Sequence, residues 1–401
     1  MIVAILAVML VGIASFTVDF GQAYVSKRQL QTATDAGVLA AGAYYTDKEG
    51  TCAELSANTT YTNAAQDIAN NIVDQNLGLD PSAPATPDRP LSVTCNSNGQ
   101  LVVGMTATRA TPVTLGAIYG VKSITTGRSS EATVAPAASA QVKPYALCSS
   151  QAQGPPVSGE VFQVGDPGQA GGGSDCPDSE TGGNWWWLDC PEDTAHSGTP
   201  DIIAENLKNG CSDPITIIPD QPTPTPPAAA VPPTDLSAAL TAHCSTAGDR
   251  SSDCVTGDTG NSSLKNKKVY DEWPALLGKK ILLPVFCGAP TCDPDTVNGT
   301  GTHTVYPVYK VAAMVLCGYH IYDKASGYSG SDECNNTVDD PDTNPSGFDA
   351  TSAAGQGGDD SKKVWLYVRY THVYVSNDKQ FTDAGLGTDQ DGGARQVTLT
   401  K

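Results

Sequence analysis

Residues 2–18 read IVAILAVMLVGIASFTV, and residues 19–45 continue as DFGQAYVSKRQLQTATDAGVLAAGAYY. The first run carries no charge and, at 17 residues, reaches the lower limit for crossing the hydrocarbon core of a bilayer. The second run contains no helix breaker and places Ala33, Gly37 and Ala41 four residues apart, a spacing that lets another helix approach closely. We therefore predict one continuous helix, with a transmembrane anchor at 1–18 and an extension at 19–45.

A cleaved signal peptide is the alternative interpretation of the apolar run. Gly12 and Ala14 are small residues of the kind that precede a cleavage site, but no basic stretch comes before the run. Lys27 and Arg28 follow it, and taken alone they would place the carboxyl side in the cytoplasm. Cysteine usage favours the opposite orientation, so we expect a retained single-pass anchor, an extracytoplasmic body and a true start upstream of Met1.

Twelve cysteines lie between positions 52 and 334, and no two of them form a C-x-x-C pair. This distribution favours a disulfide framework in an oxidising compartment over a zinc or redox site. Three close pairs could each close a short loop: Cys287 with Cys292, Cys244 with Cys254, and Cys317 with Cys334. The full connectivity stays open.

The body after residue 45 divides by the period of its apolar residues. We predict that residues 46–143 form a small membrane-proximal α+β domain. Its elements should be a helix at 61–77, a hairpin at 91–107, a short helical piece at 115–119 and a strand at 124–135. Thr60 or Thr62 should cap the helix at 61–77. Residues 144–401 predict a loop-rich, β-rich extracellular domain with a helix at 201–209. Its strands at 305–322 and 364–375 should form the centre of a second sheet, and the Pro-rich segment 219–234 an extended strap. Glycine-rich and acidic stretches at 165–183, 325–363 and 382–394 should be surface loops.

Composition excludes one class of partner. The net charge is −20, with 23 basic against 43 acidic residues, so the chain lacks the clustered positive charge that nucleic acid requires. No metalloprotease, nucleophile-elbow or phosphate-loop motif occurs, and we expect the chain not to be an enzyme. The five histidines show no ligand-like spacing, and His320 and His372 are predicted to be core or edge residues of strands.

Two weak binding candidates stand out. Asp340, Asp342 and Asn344 alternate in the segment DDPDTNPSG as at the start of a calcium loop, but the distal Glu is missing and a solvated acidic loop is the simpler interpretation. Trp185, Trp186 and Trp187 could present an aromatic platform to a sugar or a protein, although alternation along a strand would bury part of the set. We expect no cofactor, with calcium as the one candidate ion.

The stretch TVDFGQAYVSKRQLQTATDAGVLAAGA at 17–43 resembles the amino-terminal signature of the TadE/TadG-like family. The matching positions are Val18, Asp19, Gly21, Tyr24, Lys27, Arg28, Leu30, Gln31, Ala33, Asp35 and Ala36. The resemblance implies attachment to the cytoplasmic membrane, an exported body, other pilus-assembly or surface proteins as partners, and a structural or adhesive role in a Tad/Flp-type pilus system. The alternative function is a secreted or surface carbohydrate- or calcium-dependent binding module unrelated to pili.

Overall fold

The computed structural model describes residues 2–79, 89–113, 120–148, 161–165, 187–193, 199–217, 254–256, 266–286, 305–321, 324–331, 334, 364–376, 384–388 and 390–400. At residues 2–16 and at a few strand positions the description covers the backbone alone. The strap at 219–234, the helical piece at 115–119, and nearly all of the predicted loop at 165–183 lie outside the described residues.

Within the described residues, helices form where the sequence predicts them, and two further α-helices and a 3₁₀ helix appear. They are α1 Ile2–Thr46, α2 Cys52–Ala57, α3 Thr59–Leu77, α4 Pro200–Asn209 and α5 Lys267–Tyr270, followed by a 3₁₀ helix at Trp273–Leu276. The continuous first helix and the predicted helices at 61–77 and 201–209 are confirmed, whereas α2, α5 and the 3₁₀ helix were not predicted. The predicted caps of α3 are wrong, because the side chain of Asn58 accepts hydrogen bonds from the backbone N–H groups of Thr60 and Tyr61.

Fourteen strands complete the described secondary structure. They are β1 Leu91–Cys95, β2 Leu101–Pro112, β3 Ser123–Pro136, β4 Ser139–Ala140, β5 Leu147–Cys148, β6 Val161–Gly165, β7 Ile215–Thr216, β8 Cys254–Thr256, β9 Lys280–Phe286, β10 Val305–Ile321, β11 Ala325–Tyr328, β12 Val364–Tyr370, β13 Val373–Tyr374 and β14 Ala394–Leu399.

The chain forms two compact units. Unit 1 contains residues 1–48, 52–134 and 397–401, and unit 2 contains residues 49–51 and 135–396. The first boundary thus falls inside β3, nine residues before the predicted boundary at 143/144, and the chain re-enters unit 1 inside β14.

Unit 1 is an antiparallel sheet with helices against it. Strand β2 pairs with β1 on one side and β3 on the other, and the turn between β1 and β2 closes at Gly99 with φ 73°. Alternate β2 side chains are buried, from Leu101 through Val103 and Met105 to Ala107, and α1 packs against this strand. The predicted α+β layer is confirmed.

Unit 2 is built around β10. Strands β5, β9, β10, β12 and β6 follow one another across the sheet, and β8 and β11 also pair with β10. From Val308 to Tyr319 every β10 residue is buried, as expected for a strand covered on both faces. The prediction that the segments at 305–322 and 364–375 lie at the centre of a second sheet is confirmed for β10 and β12, whereas β13, at the end of the second segment, pairs with β14 instead.

Two predicted loops are partly wrong. Residues 325–328 form β11, and residues 391–393 lead into β14 through the interior of unit 2. A Cβ atom added to Gly392 would lie 2.0 Å from the backbone oxygen of Val311, so the two backbones touch there. The acidic, glycine-rich composition of residues 382–394 suggested a surface loop. Here the glycine at 392 instead allows two backbone segments to come close together.

Three disulfides join described cysteines: Cys52 to Cys95, Cys190 to Cys211, and Cys317 to Cys334. The third pair was one of the three predicted short loops, and it is confirmed. The other two predicted pairs, Cys287 with Cys292 and Cys244 with Cys254, lie outside the described side chains. All cysteines whose side chains the structure describes are bonded.

Candidate assembly surface on the first helix

A buried stripe runs along α1 from residue 19 onward. Its members recur every three or four residues, which is the spacing of one helix face. They are Asp19, Ala23, Ser26, Leu30, Ala33, Thr34, Val38, Ala41, Tyr45 and Thr46, together with Gly37 and Gly42. The helix extension is therefore anchored in unit 1 along its length.

Helix α3 covers the carboxyl-terminal half of this stripe. A Cβ atom added to Gly37 would lie 2.8 Å from Cγ2 of Val73 and 3.2 Å from the backbone oxygen of Ala69. The small residues predicted to admit another helix do so, and the helix they admit is the chain's own α3.

A polar contact ties the signature residues of α1 to the sheet. The Gln31 side-chain amide donates to Oδ1 of Asp35 at 2.6 Å and to Oγ of Ser130 at 3.0 Å, and the Ser130 hydroxyl donates to the same Asp35 oxygen at 2.5 Å. Ser130 lies on β3 and is fully buried. Sequence reasoning missed Ser130, because its contact spans 95 residues and no local pattern marks it.

The amino-terminal end of the described helix face is exposed. Val18, Phe20, Tyr24 and Val25 are 48–59% exposed, and the Arg28 guanidinium lies 5.7 Å from the centre of the Tyr24 ring. Since the nearby stripe residues Ala23 and Ser26 are buried, this part of α1 has one covered and one uncovered face. Such a face can bind a lipid surface or another polypeptide.

The signature and the geometry coincide on this helix. Residues 1–43 match the family model described as putative Flp pilus-assembly TadE/G-like. The predicted family resemblance is therefore confirmed for the TadE/G-like segment, which spans the apolar run and most of the buried stripe. No curated protein and no solved structure matches the chain.

No helix among the described residues is long and apolar enough to cross a membrane. The side chains of residues 1–16, which make up nearly all of the predicted anchor, lie outside that description.

The structure describes one of the three tryptophans of the predicted aromatic platform. Trp187 is 4% exposed and lies in the core of unit 2, with its ring 6.2 Å from that of Tyr145 and 6.5 Å from that of Trp273. Trp185 and Trp186 lie outside the described residues. Asp340, Asp342 and Asn344, the candidate calcium ligands, also lie outside them.

Cys190, Glu192 and Cys211 bring potential metal-ligand atoms within 4.8 Å of one another. The two sulfur atoms are bonded to each other, so neither is a thiolate. The Glu192 carboxylate accepts hydrogen bonds from the backbone N–H groups of Ser212 and Asp213. This group is a disulfide beside a hydrogen-bonded carboxylate and does not form a thiolate metal site.

A cluster of charged groups is buried in unit 2. Asp391 and Arg395 are both fully buried and form an ion pair of 2.7 Å, and the backbone N–H groups of Gly387 and Gly393 also donate to Asp391. Burial alone would raise the pKa of Asp391, but Arg395 and these N–H groups hold it below its usual value. The predicted surface loop therefore carries a buried ion pair that sequence reasoning missed.

His372 lies beside this pair and is 4% exposed. Burial lowers its pKa to about 4, and the charges of Arg395 and Lys280 act in the same direction. Its Nε2 atom has no hydrogen-bond partner among the described atoms, and its backbone oxygen accepts from Lys280 Nζ at 3.2 Å. The buried position predicted for His372 is confirmed, but the residue lies between β12 and β13 and not within a strand.

Proposed function

We propose that this chain is a membrane-anchored, extracytoplasmic component of a Tad/Flp-type pilus-assembly or adherence system, with a structural or adhesive role and no catalytic one. The observation that carries the proposal is the family match over residues 1–43, which supports a pilus-related role. The uncharged run at 2–18 supports anchoring, and three disulfides support an oxidising compartment.

The structure adds a physical reason why α1 suits such a role. The helix continues from the apolar run into unit 1 without a break, and among the side chains that the structure describes the buried stripe begins at Asp19. An anchor continuous with a packed helix holds the folded body at a fixed distance from the bilayer, because a helix rises about 1.5 Å per residue. A component that positions other surface proteins needs this kind of rigid attachment.

Deletion of the gene, followed by imaging of surface fibres and measurement of attachment, tests the proposed role. We expect both to be lost and to return with the wild-type gene. Unchanged fibres and unchanged attachment would remove the proposal.

A matched pair of variants tests the anchor. Leu10→Arg places a charge inside the apolar run and should cost about 3 kcal/mol of membrane insertion, whereas Gln22→Arg adds the same charge at an exposed position beyond the run. We expect only Leu10→Arg to release the protein from carbonate-washed membranes and to fail in complementation. Release of both variants, or of neither, would contradict anchoring through this run.

A further inference from the structure

Exposed apolar side chains gather at one end of unit 1. Val18, Tyr24 and Val25 on α1 and Val121 in the β2–β3 connection are each about half exposed, between 48% and 56%. Isolated exposed residues of this kind are ordinary on a protein surface, so only their grouping carries meaning.

Hydrogen bonds place the two elements at the same end. The hydroxyl of Thr111, at the end of β2, donates to that of Ser26 on α1 at 2.7 Å. Two residues further on, the Val113 N–H donates to the Lys122 carbonyl at 3.2 Å and closes the hairpin. Val121 therefore lies where the hairpin ends, on the side of the amino-terminal part of α1.

The charge of this end is opposite to that of the chain. Residues 17–28 and 120–123 contain three basic residues and one acidic residue, in a protein with 43 acidic and 23 basic residues. The acidic residue, Asp19, is 5% exposed, whereas Arg28 and Lys122 are both exposed. A local excess of positive charge persists on a strongly acidic molecule.

We propose that this end of unit 1, formed by residues 17–28 of α1 and Gly120–Ser123 of the hairpin, rests on the surface of an anionic lipid bilayer. The inference rests on the proposed membrane anchoring and adds to it a second point of contact, the hairpin. Aromatic and aliphatic side chains beside basic residues are the composition of segments at the interface between lipid and water. Each basic residue near an anionic surface strengthens attachment about five-fold.

The helix itself supports lipid over a protein partner. Tyr24 lies six residues beyond the uncharged run that ends at Val18, about 9 Å along the helix, so a bilayer that holds the run brings its headgroups close to the Tyr24 ring.

Photo-crosslinking of the full chain in nanodiscs tests the contact. Val121 is replaced by the photoreactive residue benzoylphenylalanine, and lipid adducts are counted by mass spectrometry with phosphatidylcholine alone and with added phosphatidylglycerol. Thr106, which is exposed in the middle of β2, carries the same replacement as the position control. We expect adducts at Val121 to exceed those at Thr106 several-fold and to increase with the anionic lipid.

Charge reversals give the second arm of the test. Lys122→Glu should reduce the increase caused by phosphatidylglycerol about five-fold or more, whereas Lys48→Glu, beyond the opposite end of α1, should leave it unchanged. Adducts at Val121 no more frequent than at Thr106 in chains that remain anchored would overturn the inference alone. Crosslinks in cells from Val121 to another protein or to a second copy would also overturn it, and failure to anchor at all would count against the proposed function.

Discussion

The interiors of the two units differ in the kind of contact that holds them together: close packing of small residues in unit 1 and a buried ion pair in unit 2. Along α1 of unit 1, small residues such as Gly37 and Ala41 allow close backbone approach, and the polar groups there, Gln31, Asp35 and Ser130, satisfy one another in a short network. In unit 2, the buried pair of Asp391 and Arg395 lies beside His372. Enlarging a small residue on α1 creates a steric clash, whereas removing one partner of a buried ion pair leaves a charge without its counterpart.

Spectroscopy can follow the two units separately. All five tryptophans lie between residues 135 and 396, so tryptophan fluorescence reports on unit 2. Helices α1 and α3 supply 45 and 19 helical residues, against ten in α4, so far-ultraviolet circular dichroism at the helical bands reports mainly on unit 1. Denaturant titrations of the full, oxidised chain with both signals measure each prediction below.

The largest effect is expected at the buried ion pair. Asp391→Ala removes the carboxylate that faces the buried Arg395 guanidinium and should lower the free energy of unfolding by about 3–5 kcal/mol in the fluorescence transition. Asp271→Ala is the matched control, since its pair with Lys267 is exposed to solvent and its loss should change the free energy of unfolding far less. Equal losses for the two variants would contradict the role assigned to the buried pair.

Acid should weaken unit 2 through His372. Its pKa is about 4 in the folded state against 6.5 unperturbed, so between these values the unfolded chain binds a proton that the folded chain does not. Stability is therefore unaffected above pH 6.5 and falls as the pH drops towards 4, by on the order of 3 kcal/mol in total. His372→Gln should flatten the fluorescence-monitored stability over this window, and an unchanged slope would show that another group is responsible.

Gly37 tests the packing of small residues in unit 1. Gly37→Ala gains helix propensity of about 1 kcal/mol, but its methyl group meets Val73 at 2.8 Å and a backbone oxygen at 3.2 Å, so we expect a net loss of about 1–2 kcal/mol. Gly21→Ala has nothing within 4 Å of the new methyl group and should stabilise the helix. In the double variant Gly37→Ala with Val73→Ala, the two losses should be less than additive; strict additivity would argue against the close contact.

The smallest effect is expected at the start of α3. Asn58→Ala removes the acceptor for two backbone N–H groups and should cost about 1 kcal/mol in the circular-dichroism transition. Thr60→Ala changes an exposed residue that was predicted from sequence as a cap, and it should change stability by less than about 0.5 kcal/mol. A larger loss at Thr60 than at Asn58 would reverse the assignment of the cap.

What could be predicted from sequence follows the range of the interactions. Helices α1 and α3 and the β1–β2 hairpin depend on neighbours within a few residues, so the period of their apolar residues and the glycines at 78 and 99 were sufficient. The small residues Ala33, Gly37 and Ala41 on α1 and the TadE/G-like signature were likewise visible in one stretch of sequence.

The features that sequence reasoning missed depend on contacts between residues that are far apart in the chain. The contact between Asp35 and Ser130 spans 95 residues, and nothing near either residue marks it. The segment around Asp391 has the acidic, glycine-rich composition of a surface loop, and only the approach of Val311 shows that Gly392 is needed inside. Disulfides between cysteines far apart in sequence could not be predicted for the same reason, because cysteine spacing does not show which distant segments become neighbours.

The return of the chain to unit 1 has a consequence for biosynthesis. Val397 packs at Gly42, and the Thr400 N–H donates to the Glu131 carbonyl at 2.9 Å, so the last strand of unit 1 is translated only after all of residues 135–396. During synthesis from the amino terminus, the position of residues 397–401 in unit 1 stays empty until residues 135–396 have been produced. Nascent chains stalled before residue 397 should therefore expose Gly42 to proteases or chaperones that the finished protein excludes.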